Sequence, residues 1–223
     1  MEKRRVLIVD HCPLVRVGLA SLIEREIDLT VCGDAGNCEQ GLRALAAHRP
    51  NAVTLELAMP ERSGLELIKD MLIQHPAVAV LVVSRHGHVS YINSAFHTGA
   101  HGYMTKDEAP HKLAAAIRTV LVGKRYLSTC LAVNLAHQTL DDDNRNGSCA
   151  DHLSSRELEV FEMLGRGCAI SEIAAAYHLS ISTVHTYCGR MREKMSVRTE
   201  RELLVAAVRW SEQQRPRAFP TNC

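Results

Sequence analysis

Short apolar segments alternate with helical segments through the first half of this chain, and this alternation restricts the fold more than any other feature. The apolar segments, which predict five β-strands, are residues 6–9, 29–32, 52–57, 79–83 and 103–105. The helical patterns cover residues 14–25, 39–48, 64–75, 90–98 and 110–122, and Pro or Gly follows most of them. Strands that alternate with helices pack as a parallel sheet covered on both faces. The sequence therefore predicts an α/β fold for residues 5–123.

Five strands joined by helices predict a flavodoxin-like, doubly wound sheet with strand order 2-1-3-4-5 and right-handed crossovers. In an open sheet of this kind, a functional site lies outside the C-terminal ends of the strands. The third strand delivers Glu56 to that edge, and Pro60 follows in a turn. We therefore expect a carboxylate to take part in the site.

The periodic pattern ends after this domain. Residues 124–149 are predicted to form a linker, because residues 141–148 are polar and rich in turn-forming side chains. Residues 150–215 contain only helical patterns, at 156–165, 172–177, 182–195 and 200–211. Capping boxes open the first and last of them at Ser154-x-x-Glu157 and Thr199-x-x-Glu202, and Ser171 is a candidate cap for the second. These patterns predict a second, all-α domain of four helices, whose small core favours association with another copy.

The composition excludes several classes of protein. With 46% apolar residues, 23% charged residues and a net charge of +1, the chain resembles an ordinary soluble globular protein. No apolar run approaches the roughly 18 residues of a membrane span, and no secretory core follows the N-terminus, so we expect a cytoplasmic protein. The eight cysteines contain no C-x-x-C pair, and the twelve histidines have no acid or thiol at ligand spacing. Free thiols and the absence of a metal site are therefore expected.

Four segments of the first domain resemble the receiver domain of bacterial response regulators. They are Leu7-Ile8-Val9-Asp10, Leu55-Glu56-Leu57-Ala58-Met59-Pro60, Val83-Ser84 and Gly102-Tyr103-Met104-Thr105-Lys106. The resemblance implies that two acids after the first strand and an aspartate after the third hold Mg²⁺. It also implies that this aspartate accepts a phosphoryl group, which a hydroxyl and a lysine then bind. Asp10, Ser84 and Lys106 match these positions, and Tyr103 matches an aromatic switch residue.

Two positions of this pocket depart from the family. His11 stands where a second acid is expected, and Glu56 replaces the aspartate. Losing a carboxylate removes an oxygen ligand and a negative charge, so we expect weak or absent Mg²⁺ binding and no other cofactor. Glu56 is longer than aspartate by one C–C bond, about 1.5 Å, and an error of that size impairs phosphoryl transfer. We therefore expect that ordinary control by a histidine kinase is lost.

Three interpretations of Glu56 stay open at this point. Its longer side chain is able to accept hydrogen bonds from Ser84 and Lys106 and so mimic the activated state. Alternatively, Glu56 only pairs with Lys106 in an inert dimerisation scaffold, or the pocket keeps some phosphorylation. His11 adds the option of a pocket that responds to pH.

The second domain resembles the helix-turn-helix domain of the LuxR/NarL family over residues 150–212. The matching segments are Leu153-Ser154-Ser155-Arg156-Glu157-Leu158-Glu159-Val160, Ile173-Ala174, Leu179-Ser180, Ser182-Thr183-Val184-His185 and Lys194-Met195. Together the two resemblances imply a NarL/FixJ-type transcription regulator, in which the third helix enters the major groove and the fourth forms the dimer contact. A helix of residues 182–195 is about 21 Å long, which suits that groove.

The residues expected to contact DNA are Ser182, Thr183, Val184, His185, Thr186, Tyr187, Arg190 and Lys194. The residues expected to form the dimer contact are Leu203, Leu204, Ala207 and Val208. His185 and Gly189 stand where the family commonly carries basic residues, so DNA affinity or sequence preference should differ from that of relatives. A two-fold dimer would read two half-sites roughly 34 Å apart.

The predicted function is that of a bacterial transcription regulator that binds double-stranded DNA as a homodimer and does not associate with membranes. We do not expect an enzyme, because no nucleophile, base and orienting group accompany the pocket. Two other functions stay open: a conventional phosphorylated response regulator, and a protein-binding adaptor with a vestigial DNA-binding domain.

Overall fold

Six parallel strands form the sheet of the first domain, in the order β2-β1-β3-β4-β5-β6. The computed structural model describes residues 2–59, 62–133, 150, 153–177 and 179–214. The strands are β1 (Arg4–Val9), β2 (Leu29–Ala35), β3 (Ala52–Leu55), β4 (Ala79–Ser84), β5 (Gly102–Thr105) and β6 (Tyr126–Leu127). The predicted order of the first five strands is confirmed. Sequence periodicity does not predict β6, because two residues are too few to show alternation.

Helices follow each of the first five strands, which confirms the predicted flavodoxin-like fold. They are α1 (Pro13–Glu24), α2 (Cys38–His48), α3 (Gly64–Gln74), α4 (Val89–Thr98) and α5 (Lys112–Leu121). Because helices cover both faces of the sheet, every side chain of β3 and β4 is buried. One core cluster joins Val6 and Ile8 of β1 to Leu81 of β4 and to Ile117 of α5. This packing holds the C-terminal ends of the strands in a fixed arrangement.

The end of β3 differs from the prediction. The strand stops at Leu55 rather than at residue 57, because the carbonyl of Leu57 turns to accept hydrogen bonds from the N–H groups of Met59 and Gly64, both at 2.9 Å. A Cβ at Gly64 would lie 2.6 Å from Leu57 Cα, so only glycine allows the first turn of α3 to approach this closely. The close approach sets the position of Glu56.

Four helices form the second domain. They are α6 (Ser155–Gly165), α7 (Ile170–Ala176), α8 (Ile181–Lys194) and α9 (Glu200–Gln214). The Phe161 and Trp210 rings, 5.8 Å apart, join α6 to α9 in the core. Gly165 makes that contact close, since a Cβ there would lie 2.4 Å from the carbonyl oxygen of Ala207. The predicted helical domain is therefore confirmed.

Hydrogen bonds confirm the two predicted capping boxes. At the start of α6, Ser154 N–H donates to Glu157 at 2.7 Å, and Glu157 N–H donates to the Ser154 hydroxyl at 3.4 Å. The same exchange joins Thr199 and Glu202 at α9. The prediction that Ser171 caps α7 is wrong, because α7 begins earlier and Glu172 instead accepts from the N–H of Ala169 at 2.8 Å.

The chain divides into two compact units, residues 1–146 and residues 147–223. Part of the segment predicted as a linker belongs to the first unit, where it forms β6 and a helical turn at residues 129–133. The polar run at residues 141–148 lies outside the described residues. None of the helices in the described ranges combines the length and apolar character that crossing a bilayer requires.

Candidate functional sites

Four polar side chains meet at the C-terminal edge of the sheet. Asp10 follows β1, Glu56 follows β3, Ser84 ends β4 and Lys106 follows β5. Parallel strands bring their carboxyl ends to one edge, which is why residues distant in sequence converge. Three of these residues are 1% exposed or less, and Lys106 forms the outer side of the group. We call these four side chains the acidic pocket.

The carboxylate of Glu56 has partners on both of its oxygens. Oε1 accepts a hydrogen bond from Ser84 Oγ at 2.5 Å and one from the N–H of Ala58 at 3.1 Å. Oε2 lies 2.8 Å from Lys106 Nζ. One carboxylate therefore contacts both side chains that the receiver resemblance assigns to phosphate binding. The sequence did not single out Ala58, because its contribution is a backbone N–H in the turn after β3.

The ammonium of Lys106 bridges the two acids of the pocket. Its Nζ lies 2.5 Å from Asp10 Oδ2 as well as 2.8 Å from Glu56 Oε2. Burial acts to lower the pKa of Lys106, but the charges and hydrogen bonds of the two carboxylates outweigh it and raise the pKa above its ordinary value. Burial likewise acts to raise the pKa of Glu56. The charge of Lys106 and the hydrogen bonds to the carboxylate outweigh it and lower that pKa.

The donors of the acidic pocket do not suit Mg²⁺, which requires near-octahedral oxygen ligands at about 2.1 Å. Both Glu56 oxygens are bonded, Asp10 Oδ2 is bonded to Lys106, and Asp10 Oδ1 accepts from the N–H of Cys12 at 2.8 Å. Lys106 already supplies positive charge between the acids. Across the described parts of the chain, no group of three or more His, Cys, Asp or Glu is arranged to hold a metal ion.

His11 lies at the rim of the acidic pocket. Its Nδ1 is 3.9 Å from Asp10 Oδ1, too far for a hydrogen bond, and this buried nitrogen makes no hydrogen bond to any described residue. His11 therefore brings an imidazole, and no oxygen ligand, to the position of the family's second acid. The pH response that the sequence leaves open for this residue stays a prediction.

Tyr103 is buried and tied to the loop that follows β4. Its hydroxyl donates a 2.6 Å hydrogen bond to the carbonyl of His86, and the N–H of His86 donates to Ser84 Oγ at 3.3 Å. Ser84 thus contacts Glu56 on one side and the loop on the other. A hydrogen bond therefore joins this loop to the acidic pocket.

Helix α8 presents most, but not all, of the residues expected to contact DNA. Ser182, His185, Thr186 and Arg190 are exposed, and Thr183 and Tyr187 are half-buried. Val184 is 0% exposed and packs in the core, so its inclusion among the DNA contacts is wrong. Side chains four residues apart lie on one helix face, so the exposed Ser182, Thr186 and Arg190 share a side of α8.

Lys194 at the end of α8 has a structural partner. Its Nζ lies 2.6 Å from Glu157 Oε2, and Glu157 is buried in the capping box of α6. Burial acts to raise the pKa of Glu157, but Lys194 and the hydrogen bonds at Ser154 lower it below its ordinary value. Lys194 therefore neutralises an acid inside the domain, and the expectation that it is a DNA contact stays a prediction.

Helix α9 divides the four expected dimer residues between two faces. Leu203 and Ala207 are buried in the core of the domain, so their assignment to the dimer contact is wrong. Leu204 and Val208 are exposed, and so is Val205, which is not among the four predicted residues. The spacing of apolar residues indicates which face of α9 is buried. Leu203, Ala207 and Trp210 repeat at intervals of four and three and define the inward face. Residues beside that stripe face outward.

Comparison with known proteins matches both domains. A family model described as "Response regulator receiver domain" matches residues 6–118, and one described as "Bacterial regulatory proteins, luxR family" matches residues 151–207. The chain is 34% identical to the response regulator GacA of Pseudomonas viridiflava over 205 residues, which are 92% of this chain and 95% of GacA. It is 33% identical to the transcriptional regulatory protein UhpA of Salmonella typhimurium over 198 residues, which are 89% of this chain and 94% of UhpA.

Among solved structures, the chain is similar to RcsB from Salmonella enterica serovar Typhimurium bound to the promoter rprA. The TM-score is 0.65 at 20% sequence identity, and the match covers 93% of this chain and 99% of the RcsB chain. At this level of identity the similarity supports the fold alone.

Proposed function

We propose that this chain, which belongs to the LuxR family of response regulators, regulates transcription and does so without being phosphorylated. In this proposal it is a bacterial, cytoplasmic protein that binds double-stranded DNA as a homodimer. Glu56 permanently takes the place of a phosphorylated aspartate in the acidic pocket. The receiver then holds one state and does not alternate between two.

The observation that carries this proposal is the double contact of one buried carboxylate. Glu56 accepts a 2.5 Å hydrogen bond from Ser84 and lies 2.8 Å from Lys106. These are the two groups that bind the transferred phosphate in the family. An inert ion pair would involve Lys106 alone. The short hydrogen bond to Ser84 also holds the hydroxyl that a phosphoryl group would hold in the family. The geometry therefore favours mimicry of the activated state over an inert scaffold.

The same contacts oppose phosphorylation of Glu56. A nucleophile in phosphoryl transfer needs an oxygen free to approach phosphorus in line, with positive charge positioned on the phosphate. Both oxygens of Glu56 are bonded inside the protein, and Lys106 is shared with Asp10. Attack would first require these bonds to break.

The second domain supports DNA binding through its exposed helix face. Ser182, Thr186 and Arg190 on α8 offer hydroxyl and guanidinium donors at a helix that fits the major groove. The exposed Leu204, Val205 and Val208 on α9 offer an apolar face for a second copy. A single small domain with one exposed helix face makes few phosphate contacts. Two copies double their number and so strengthen DNA binding.

One experiment tests both parts of this proposal. The full chain is incubated with acetyl phosphate and Mg²⁺, and its intact mass and its affinity for a pool of promoter fragments are measured before and after. We expect no gain of a phosphoryl mass, and an affinity that falls with salt but is unchanged by the phosphodonor. The double variant His11→Asp/Glu56→Asp is the matched control, because it reverses both departures from the family and should gain the mass.

Two outcomes would contradict the proposal. A mass gain in the unaltered chain that Glu56→Ala abolishes would show conventional phosphorylation. The absence of salt-dependent DNA binding at low salt would indicate a protein-binding adaptor.

A further inference from the structure

A short segment after β6 packs into the first domain. Residues 129–133 form a helical turn that Ser128 begins, with its carbonyl accepting from the N–H of Ala132 at 2.9 Å and its hydroxyl accepting from the N–H of Leu131 at 3.4 Å. Leu131 is 3% exposed, whereas Val133 on the same turn is 48% exposed. Leu131 is therefore the side chain through which this turn is anchored.

The seat of Leu131 lies on the loop that follows β4. A Cβ added at Gly87 would stand 3.3 Å from Leu131 Cδ2 and 3.4 Å from Thr105 Cγ2. The φ of Gly87 lies outside the left-handed region, so its backbone does not itself require glycine. The missing side chain at Gly87 leaves room for Leu131. A larger residue there would crowd Leu131 without straining the loop.

This seat is connected to Glu56 by contacts along the loop. Ser84 has a single hydroxyl hydrogen, and it gives that hydrogen to Glu56 at 2.5 Å. Its lone pairs are then left to accept the N–H of His86, at 3.3 Å. The hydroxyl of Tyr103 holds the carbonyl of His86 at 2.6 Å. Both hydrogen-bonding groups of the His86 backbone are thus fixed, one residue before Gly87.

We propose that residues 128–133 form a latch on the loop of residues 85–88, and that this latch responds to the hydrogen bond between Glu56 and Ser84. With that bond in place, His86 is held and Gly87 receives Leu131. Without it, the Ser84 hydroxyl rotates, His86 loses a fixed acceptor and the seat is disrupted. The chain continues in sequence from this turn to the DNA-binding domain, so the contact of Glu56 with Ser84 holds a segment that leads to that domain. The inference deepens the proposed function and rests on its Glu56 contact.

Amide hydrogen exchange of the full chain, without DNA, tests the latch at residues 129–133. We expect Leu131→Ala to raise the exchange rate of this turn by about 10- to 100-fold, the factor that corresponds to burial of one leucine side chain. Ser84→Ala and Gly87→Val should raise it as well, whereas Ser84→Thr, which keeps the hydroxyl, should not. Val133→Ala is the matched control on the same turn. Unchanged exchange in α2 verifies that each variant is folded.

Two results would overturn the latch. Unchanged exchange in Leu131→Ala would show that the turn is not anchored by this side chain. Faster exchange in Leu131→Ala, with unchanged exchange in Ser84→Ala, would make the turn a static contact that the acidic pocket does not control. Because the assay contains no DNA, a failure of DNA binding in the separate test overturns the proposed function and not the latch.

Discussion

Ser84 donates a 2.5 Å hydrogen bond to Glu56 between two side chains that are both buried. Hydrogen bonds to a charged acceptor are among the strong ones, and each typically contributes about 1.5 to 3 kcal/mol to stability. An aspartate at the same backbone position would end about 1.5 Å short of this contact. The additional methylene of Glu56 therefore allows the carboxylate to reach Ser84 and Lys106.

The lowered pKa of Glu56 predicts a loss of stability in acid. Burial alone would raise this pKa, but Lys106, Ser84 and the N–H of Ala58 together hold it below the ordinary value of about 4.3. The stabilisation by ionised Glu56 is then fully present above about pH 4.3 and is lost as pH falls through the folded-state pKa. Urea unfolding from pH 7 to pH 3 should show the stability advantage over Glu56→Gln shrinking below about pH 4.3. An advantage that is constant over this range would contradict the prediction.

Replacing Lys106 by Met should leave two buried carboxylates without their cation. We expect a loss of about 3 to 5 kcal/mol in the free energy of unfolding, the usual cost of removing one partner of a buried ion pair.

We also expect millimolar Mg²⁺ to raise the Tm of Lys106→Met but not that of the unaltered chain, because Asp10 and Glu56 then offer unpaired oxygens. Lys69→Met, at an exposed position of α3, is the control. If Mg²⁺ changes the Tm of Lys106→Met and that of the unaltered chain equally, Lys106 does not have the role assigned to it.

Removing the guanidinium of Arg190 should weaken DNA binding at all sequences. Arg190 is exposed on the face of α8 that also carries Ser182 and Thr186. If it contacts a phosphate, Arg190→Ala lowers the slope of log affinity against log salt by about 0.9. Fluorescence anisotropy over a salt series measures that slope. Arg43→Ala, which removes an exposed arginine from α2, should leave it unchanged. A slope that Arg190→Ala does not alter would exclude Arg190 from the phosphate contacts.

A charge on the outer face of α9 should weaken the homodimer that we propose. Val208 is exposed beside Leu204 and Val205, so Val208→Glu spares the core formed by Leu203 and Ala207. We expect the dimer Kd to rise at least about tenfold, because a carboxylate is costly to bury in an apolar contact. Sedimentation equilibrium measures the change, and Ile73→Glu on an exposed position of α3 is the control. A dimer that Val208→Glu leaves intact must associate through another surface.

Hydrophobic periodicity was sufficient to predict the alternation of strands and helices in the first domain. Periodicity does not define the boundaries of these elements, because a strand or helix ends where other hydrogen bonds compete for its backbone groups. Leu57 continues the apolar pattern of β3 two residues beyond Leu55, yet its carbonyl turns to the N–H groups of Met59 and Gly64. That competition depends on how closely α3 approaches the end of β3. The residue pattern of the strand carries no information about this approach.

The helical domain shows the same division between pattern and packing. Capping boxes at Ser154 and Thr199 were recognisable because each involves residues three positions apart. The inward face of α9 was harder to define, because its sequence contains apolar residues on more than one side. Packing against Phe161 buries Trp210 and selects one of these faces. Leu203 and Ala207 are buried on the same face.

The amino-acid sequence was sufficient to predict the chemistry available to this protein: a glutamate, an aspartate, a serine and a lysine at the ends of four parallel strands. It also determined the two domains, because periodicity and capping are local properties of the chain. The packing of strands and loops, and no local pattern, places Lys106 between Asp10 and Glu56 and brings Ser84 into contact with both Glu56 and the loop that carries Gly87. Hydrogen bonds and ion pairs of this kind depend on how strands and helices pack, because small displacements make or break them.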